Sequence, residues 1–404
     1  MKLSEELKWR GFSSQTTYQD VTVLDGDPIS FYWGVDPSAD SMTIGNLAAG
    51  MMVRCFIDHG HKAFLLVGGA TGMIGDPDGK SSERNYKTIE EVAKNKAGIA
   101  AQYHQIFAEK DFTVVDNYDW FKDINYLDFL RSVGRYVPLN QMLGRDFIQT
   151  RLGTDSSGIS YAEFSYSLIQ GYDFVHLFQE YGVTLQLCGA DQWGNSITGV
   201  DLIRRIEGKE AHVYSTPLIM NKATGLKFGK SESGAIWLDP NRTSVYKFYQ
   251  FWLNVDDIGV IDYLKVYTLL SKDQIDDLLK QTEANPSARI AQKTLAHEVT
   301  SLVHSASRTE SVERVTEVLF GGANISTLTD SDIDSLASEI YTTSVGASII
   351  DILVKSNLAS SNGEARRLIV SGAVSINGEK VNEDRLIDSI SLIKKGKNSF
   401  VLVH

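Results

Sequence analysis

Four short apolar runs in the first half of the chain, separated by helix-forming sequence, restrict its fold more than any other feature. They are ISFYWGV (29–35), KAFLLVGG (62–69), FTVVDN (112–117) and VTLQLCG (183–189). Runs this short and this continuously apolar suit strands covered on both faces, which is the condition of a parallel sheet with helices on either side. Helical sequence runs from about Ile44 to His59, and Gly60 suits its C-terminal cap. The expected fold class is α/β, a doubly wound Rossmann-like parallel-sheet domain over residues 1–225.

Further along, the pattern changes. Residues 226–243 form a connector, and 244–320 turn helical in VYKFYQFWLNV, DYLKVYTLL and ARIAQKTLAHEVTSLVHSA. The polar stretch 321–343 resembles a linker containing one weak helix. Residues 344–404 look like a small separate α+β module, with two helix-like segments and then a hairpin at AVSINGEKVN. Its Asn377-Gly378 pair suits a two-residue turn that needs positive φ.

Charge and cysteine usage exclude several classes. The net charge of -12 argues against a protein coated in basic surface, although binding to nucleic acid follows local charge. Residues 341–404 carry eight Lys/Arg against six Asp/Glu, so the tail is locally positive. Cys55 and Cys188 lie far apart in apolar runs and read as buried thiols, with no metal-ligand or disulfide spacing. The start MKLSEELKWRGF lacks a signal-peptide core, and no apolar stretch approaches the roughly 20 residues that span a bilayer. A cytoplasmic protein without membrane contact is expected.

Four segments carry candidate chemistry. In GVDPSADSMTIGNLAAG (34–50) a strand runs through a turn into a helix, which presents free backbone N–H groups as an anion site. Gly45 there either lets a flat group approach the backbone or is chosen for packing. LLVGGATGMIGDPDGKSSER (65–84) ends another strand in a glycine-rich turn bearing Asp76, Lys80 and Arg84. It has neither P-loop nor GxGxxG spacing, and reads as a flexible surface loop or a phosphate loop. Its glycines suggest backbone freedom.

Tyr166, Gln170 and Asp173 share one face of a helix at i, i+4 and i+7. That face is either solvated or lines a polar pocket. Gln186, Gly189, Asp191 and Gln192 cluster at the end of the following strand, where ligands of such sheets bind, and favour the pocket. In LKFGKSESG (226–234), Lys227 and Lys230 flank Phe-Gly and could clamp phosphates, or form a solvated basic loop.

Together, in this order and at these separations, the segments resemble class I aminoacyl-tRNA synthetases of the bacterial tyrosyl type. GGATGMIGDPDGKSSER, QGYDF and DQWGN carry the resemblance most specifically, and KFGKS is a variant of the second signature of the class. The resemblance implies activation of L-tyrosine with ATP to tyrosyl-adenylate and pyrophosphate, then transfer to the 3′ end of tRNA(Tyr). It assigns Tyr32 and Asp173 to the substrate phenol, Asp76, Tyr166 and Gln170 to its ammonium group, and Gln186 to the same pocket. Gly34, Asp36, Ser38, Thr43, Gly45, Asn46, Gly189, Asp191, Gln192 and Lys230 fall at ATP positions. Lys80, Arg84, Lys227 and Lys230 match loop cations that engage the departing pyrophosphate, and Mg²⁺ accompanies the phosphates. A homodimer and a tRNA anticodon-side role for residues 244–320 are also implied.

The tail resembles an S-four-like RNA-binding module, with Arg366, Arg367, Lys380, Lys394, Lys395 and Lys397 as phosphate contacts. Deleting residues 345–404 is then expected to spare adenylate formation and weaken tRNA charging. One departure stands out: the first signature of the family is usually His-Ile-Gly-His, and here it reads Thr43-Ile44-Gly45-Asn46. The expectation is partial compensation, with Thr43, Ser38 and the loop cations sharing the load, and with the Asn46 amide still donating. The rival readings are a tryptophanyl synthetase and a catalytically impaired RNA-binding relative.

Overall fold

A computed structural model describes residues 1–77, 86–144, 146–152, 158–231 and 234–404. Five parallel strands form the first sheet: β1 (Ser30–Val35), β2 (Lys62–Val67), β3 (Phe112–Asp116), β4 (Val183–Gly189) and β5 (His212–Thr216). Their order is β3-β2-β1-β4-β5. The chain therefore winds outward from β1 through β2 to β3, returns to the other side of β1 as β4, and continues to β5. The two windings meet between β1 and β4, and their carboxyl ends open a crevice there.

The helices that cover this sheet start and stop where local chemistry dictates. Helix α1 (Ile44–Asp58) has Thr43 as N-cap in a capping box with Asn46, and the chain leaves it through Gly60 at φ +87°. Its apolar face, including Leu47, Met51, Met52 and Phe56, is buried. Helix α2 (Ile89–Ile106) begins on a Thr88/Glu91 capping box. Helix α3 (Tyr161–Tyr181) starts with a Ser160/Glu163 box and ends at Gly182 with φ +66°. The buried Glu163 also pairs with Arg151 at 3.0 Å. Helix α4 (Trp193–Glu207) crosses α3 closely, because Gly171 and Gly199 leave no side chain between them. A Cβ at Gly199 would stand 2.8 Å from Phe174 Cβ.

Two compact units divide the chain. The first holds residues 1–243 and 251–303, and the second holds 244–250 and 304–404. Helix α5 (Val245–Leu253) passes from the second into the first, where α6 (Val260–Tyr267) follows.

In the second unit, α7 (Ala306–Thr316), α8 (Asp330–Ala337), α9 (Ile349–Lys355) and α10 (Asn362–Val370) pack with a second sheet. A short ribbon in the first unit, β6 (Lys230–Ser231) with β7 (Gly234–Ala235), precedes it in the chain. The second sheet comprises β8 (Tyr341–Thr343), β9 (Val374–Ile376), β10 (Glu379–Lys380), β11 (Ser391–Lys395) and β12 (Ser399–Val403), in the order β10-β9-β11-β12-β8. The β9–β10 turn has Asn377 at φ +50° and Gly378 at φ +88°, the two positive values that the sequence called for.

The stretch 321–343, expected as a linker, is part of this unit. Ile325, Leu328, Ile333 and Leu336 are buried with Leu392, Phe400 and Leu402, and β8 pairs with β12. Buried Asp332 accepts from Arg314 at 2.8 and 3.0 Å and from Ser311 at 2.5 Å, which ties α8 to α7. A cut at residue 345 would remove Leu392, Phe400 and Leu402 from that core and β12 from beside β8, so the truncation is the wrong way to isolate the tail.

Candidate active site

The crevice between β1 and β4 gathers the residues that the sequence placed on separate elements. Tyr32 projects from β1 with 2% exposure, and its Oη is buried without a hydrogen-bond partner. Gln186 of β4 and Gln170 of α3 each bury an Oε1 in the same condition. Buried polar atoms are almost always paired, so such a set of orphans marks a place built for a ligand's donors and acceptors. Burial, and then the nearby Asp173 charge, push the Tyr32 phenol well above its ordinary pKa.

Asp173 is itself 2% exposed. Its Oδ1 accepts from Trp120 Nε1 at 3.0 Å and its Oδ2 from Asn117 Nδ2 at 3.1 Å. Burial raises its pKa well above the carboxylate range, while those two donors pull it down. Asn117 also donates to Thr71 Oγ1 at 3.0 Å, and Thr71 donates to Asp36 Oδ1 at 2.6 Å. Tyr166 donates to the other oxygen of Asp36 at 2.7 Å. One hydrogen-bonded chain thus joins α3, the end of β3, the turn after β2 and the turn after β1. Asp76 accepts from Gln192 at 2.6 Å, which links the glycine-rich turn to the DQWGN segment.

Thr71, Asn117 and Trp120 were not singled out in the sequence. Asn117 had a weak signal, since a polar residue directly after an apolar parallel strand lies on the ligand edge. Trp120 had none: only the fold sets it against Asp173.

The glycines after β2 do something other than expected. Gly75 has φ +82°, but Gly68 and Gly69 do not have positive φ. They are small because acids crowd them: an added Cβ would lie 2.2 Å from Asp36 Oδ1 at Gly68, and 2.2 Å from Asp116 Oδ1 at Gly69. At Gly45 an added Cβ would meet only Thr43 Oγ1, at 3.5 Å. Packing within the chain does not demand glycine there, which favours approach of a ligand. A cleft of about 230 Å³ lies beside this turn, lined by Asp36, Ser38, Gly72, Gly75 and Lys87 among others.

Residues 24–321 match the family described as tRNA synthetases class I (W and Y), and residues 332–403 match the tyrosine–tRNA ligase SYY-like C-terminal domain. A tyrosine–tRNA ligase of Staphylococcus haemolyticus is 41% identical over 100% of this chain and 99% of its own length. One from Listeria monocytogenes is 40% identical at the same coverage. The chain belongs to the tyrosine–tRNA ligase family. Among solved structures, a C-terminally truncated mitochondrial tyrosyl-tRNA synthetase of Aspergillus nidulans is similar at TM-score 0.71 and 29% identity, covering 79% of this chain and 94% of that one. A tryptophanyl-tRNA synthetase of Encephalitozoon cuniculi shares the fold at TM-score 0.56 and 14% identity.

In this family member, the first signature closes on itself. Asn46 Oδ1 accepts from both the backbone N and Oγ1 of Thr43, each at 3.0 Å, so the pair caps α1. The second signature lies against it. Gly229 has φ +101°, and a Cβ there would stand 2.9 Å from Ile44 Cγ1. Ile44 N donates to Ile236 O, and Ile236 N to Gly229 O, both at 3.1 Å. Lys227 is half exposed, with Nζ 3.6 Å from Asp191. Gly34 is exposed near the carboxyl end of β1, as is Ser38 in the turn beyond it. Gly189 lies close to Asp191, whose Oδ1 would be 2.6 Å from an added Cβ. Lys80 and Arg84 lie outside the described residues, as does the side chain of Lys230.

In the second unit, Arg366, Arg367, Lys380 and Lys397 are exposed. Lys394 donates to Leu319 O at 3.0 Å and lies over the Phe400 ring at 5.1 Å, and Lys395 donates to Leu358 O. Each of these two lysines therefore spends one donor inside the protein. Among the described residues no three His, Cys, Asp or Glu side chains stand together as a metal site would require, and no helix is long and apolar enough to cross a membrane.

Proposed function

We infer that this site activates L-tyrosine with ATP, giving tyrosyl-adenylate and pyrophosphate, and then passes the tyrosyl group to the 3′ end of tRNA(Tyr). The observation that carries the reading is the buried, unpartnered Tyr32 hydroxyl in the same pocket as the Asp173 carboxylate. A substrate phenol satisfies both, one as donor and one as acceptor. Phenylalanine leaves the Tyr32 hydroxyl unmet and Asp173 without the additional donor, at a desolvation cost.

Asp76, Tyr166 and Gln170 hold the substrate ammonium, and Gln186 closes the pocket beside it. The tyrosine carboxylate is already ionised, so it attacks the α-phosphate without a general base. Positioning and charge stabilisation supply the rate. Gly34, Asp36, Ser38, Gly45, Gly189, Asp191 and Gln192 receive the nucleotide, which enters with Mg²⁺ as its own counterion. Asn46 contributes a neutral donor through its Nδ2, and Thr43 one when its bond to Asn46 opens, while Lys80, Arg84, Lys227 and Lys230 draw off the pyrophosphate.

In the tail, Arg366, Arg367, Lys380 and Lys397 bind tRNA phosphates, with Lys394 and Lys395 adding their remaining donors. Replacing Arg366 and Arg367 together with glutamate raises KM for tRNA and leaves adenylate formation intact. The active unit is a homodimer in the cytoplasm. Exposed Tyr126, Leu127, Leu139, Leu152 and Tyr161 in one segment support a face that a second copy covers.

The test is pyrophosphate exchange into ATP with tyrosine, phenylalanine or tryptophan, without tRNA. Exchange with tyrosine alone is expected. Exchange with none of the three, from folded protein, would turn the assignment toward an RNA-binding relative.

A further inference from the structure

Between the two lysines of the second signature stands one large apolar side chain, and the structure does not leave it in solvent. Leu226 is 69% exposed and the Lys227 side chain 53%, but Phe228 falls to 7%. Its ring stacks on Tyr263 of α6 with centroids 4.2 Å apart and planes 21° apart. Phe251, Trp252 and Tyr267 close the box at 5.3, 5.7 and 6.0 Å. Trp252 and Tyr267 are themselves in contact at 4.7 Å, so the box is a continuous aromatic cluster. All of these rings belong to the first compact unit.

The backbone beside Phe228 is tied on both sides. Phe228 N donates to Ile219 O at 2.8 Å, and Gly229 O accepts from Ile236 N. Gly229 then packs on Ile44, in the first signature. A charged loop that served only to swing freely would not need an aromatic anchor under its middle residue. A loop whose two ammonium groups must reach fixed phosphate oxygens does need one, because charge stabilisation of a departing group depends on preset geometry.

We propose that Phe228 is the positioning residue of the lysine loop: its ring, seated in the box of Phe251, Trp252, Tyr263 and Tyr267, is the pivot that sets where Lys227 and Lys230 meet pyrophosphate. This rests on the function proposed above. Phe228 touches no reacting atom, and acts through the lysines on either side. It also carries the link between the two signatures, since its neighbour Gly229 contacts Ile44.

The experiment uses the full-length chain and follows single-turnover adenylate formation, tyrosine affinity without ATP, and KM for pyrophosphate in the reverse reaction. Phe228→Ala should slow adenylate formation roughly 10- to 100-fold, the range that small misplacement of a catalytic group produces. KM for pyrophosphate should rise, and tyrosine affinity should stay within about twofold. Phe228→Leu, which keeps an apolar side chain in the box, should recover most of the rate. Tyr263→Leu removes the stacked ring from the other side and should reproduce the defect, non-additively with Phe228→Ala. It is read alone if Phe228→Ala fails to fold.

An unchanged rate in folded Phe228→Ala overturns the pivot, as does a parallel loss of tyrosine affinity, which would mean general damage. Tyrosine-dependent exchange by the unaltered protein is the control. Its absence would sink the assigned reaction, whereas its presence beside an unaffected variant sinks only the pivot.

Discussion

The two ends of the active site are built from different material. At the tyrosine end, Asp173, Asn117, Thr71, Asp36 and Tyr166 lie on secondary elements or their immediate ends, and each holds the next by a hydrogen bond of 2.6 to 3.1 Å. Burial there raises the value of every contact and the cost of every omission. At the phosphate end, Lys227 is half exposed, Ser38 is exposed, and the first signature spends its polar atoms on capping α1. Under the proposed function, substrate selection falls to the part of the fold that cannot adjust, and charge neutralisation to loops that a highly charged nucleotide can reach. A phenol differs from a phenyl ring by one hydroxyl, so discrimination needs a fixed acceptor. Pyrophosphate has many oxygens and must leave, so its partners can be long, solvated side chains, provided the backbone that carries them is held, as it is at Phe228 and Gly229.

Four perturbations test that contrast. The largest effect belongs to Asp173→Ala, which leaves the Asn117 and Trp120 donors without an acceptor. Leaving two buried neutral donors unpaired costs about 1–3 kcal/mol each. Tyrosine-dependent exchange should fall about a thousandfold. A fall of only a few fold would mean that the tyrosine end is less fixed than its geometry.

Next comes Lys230→Ala. Removing one charge-stabilising group costs on the order of a hundredfold in the rate of adenylate formation. Tyrosine affinity should not change. If it did, the two ends would not be separable.

Asn117→Ala should act more gently, raising KM for tyrosine about tenfold with little change in kcat, because it orients Asp173 and contacts no reacting atom. It also bears on pH. Ionised Asp173 is a stronger acceptor for a phenol than the neutral acid, so tyrosine affinity should weaken as pH falls through its raised pKa. Stability of the ligand-free protein runs the other way. A carboxyl with a raised folded-state pKa favours folding most below the ordinary carboxylate range, and that contribution is lost as pH rises through the raised value. Asn117 donates to the carboxylate, so its loss should move both transitions to higher pH. Tyrosine titrations and thermal melts over the same pH series would show whether the two transitions share one group.

The smallest effect is expected from Thr43→Ala. It removes a neutral donor and one half of a helix cap, worth about 1 kcal/mol in stability. Adenylate formation should drop by roughly tenfold or less, below the full cost of an oxyanion-type donor, because Asn46 and the lysines share the load. An unchanged rate would give Thr43 a capping role alone.

Much of this was legible in the residue order, for stateable reasons. The four strands were visible because central parallel strands are buried on both faces, and continuous apolar runs betray them. The fifth, His212–Thr216, was not. It pairs fully with β4 on one side, and on the other the irregular segment 14–17 bonds to Val213 and Ser215, so its sequence HVYST includes polar side chains that serve those bonds. The i, i+4, i+7 spacing put Tyr166, Gln170 and Asp173 on one helical face, but solvent or pocket remained open until the sheet order brought Tyr32 and Gln186 to the same crevice. The stretch 321–343 looked like a linker because its four buried apolar side chains are spaced among serines and aspartates, and three of their partners, Leu392, Phe400 and Leu402, lie more than fifty residues on.

By itself, then, the sequence determined the strand and helix alternation, the caps, the Asn377-Gly378 turn and the segments that carry the chemistry. These depend on the local backbone, on side-chain volume and on periodicity, which a chain carries residue by residue. Only the tertiary structure decided that Trp120 and Asn117 hold Asp173, that Gly68 and Gly69 yield to carboxylates rather than to φ, and that Phe228 sits in a box of four rings. Each of these is a contact between elements distant along the chain. No local propensity encodes such a contact; it exists once burial has brought the partners together and made an unpaired polar group, or an empty space, costly.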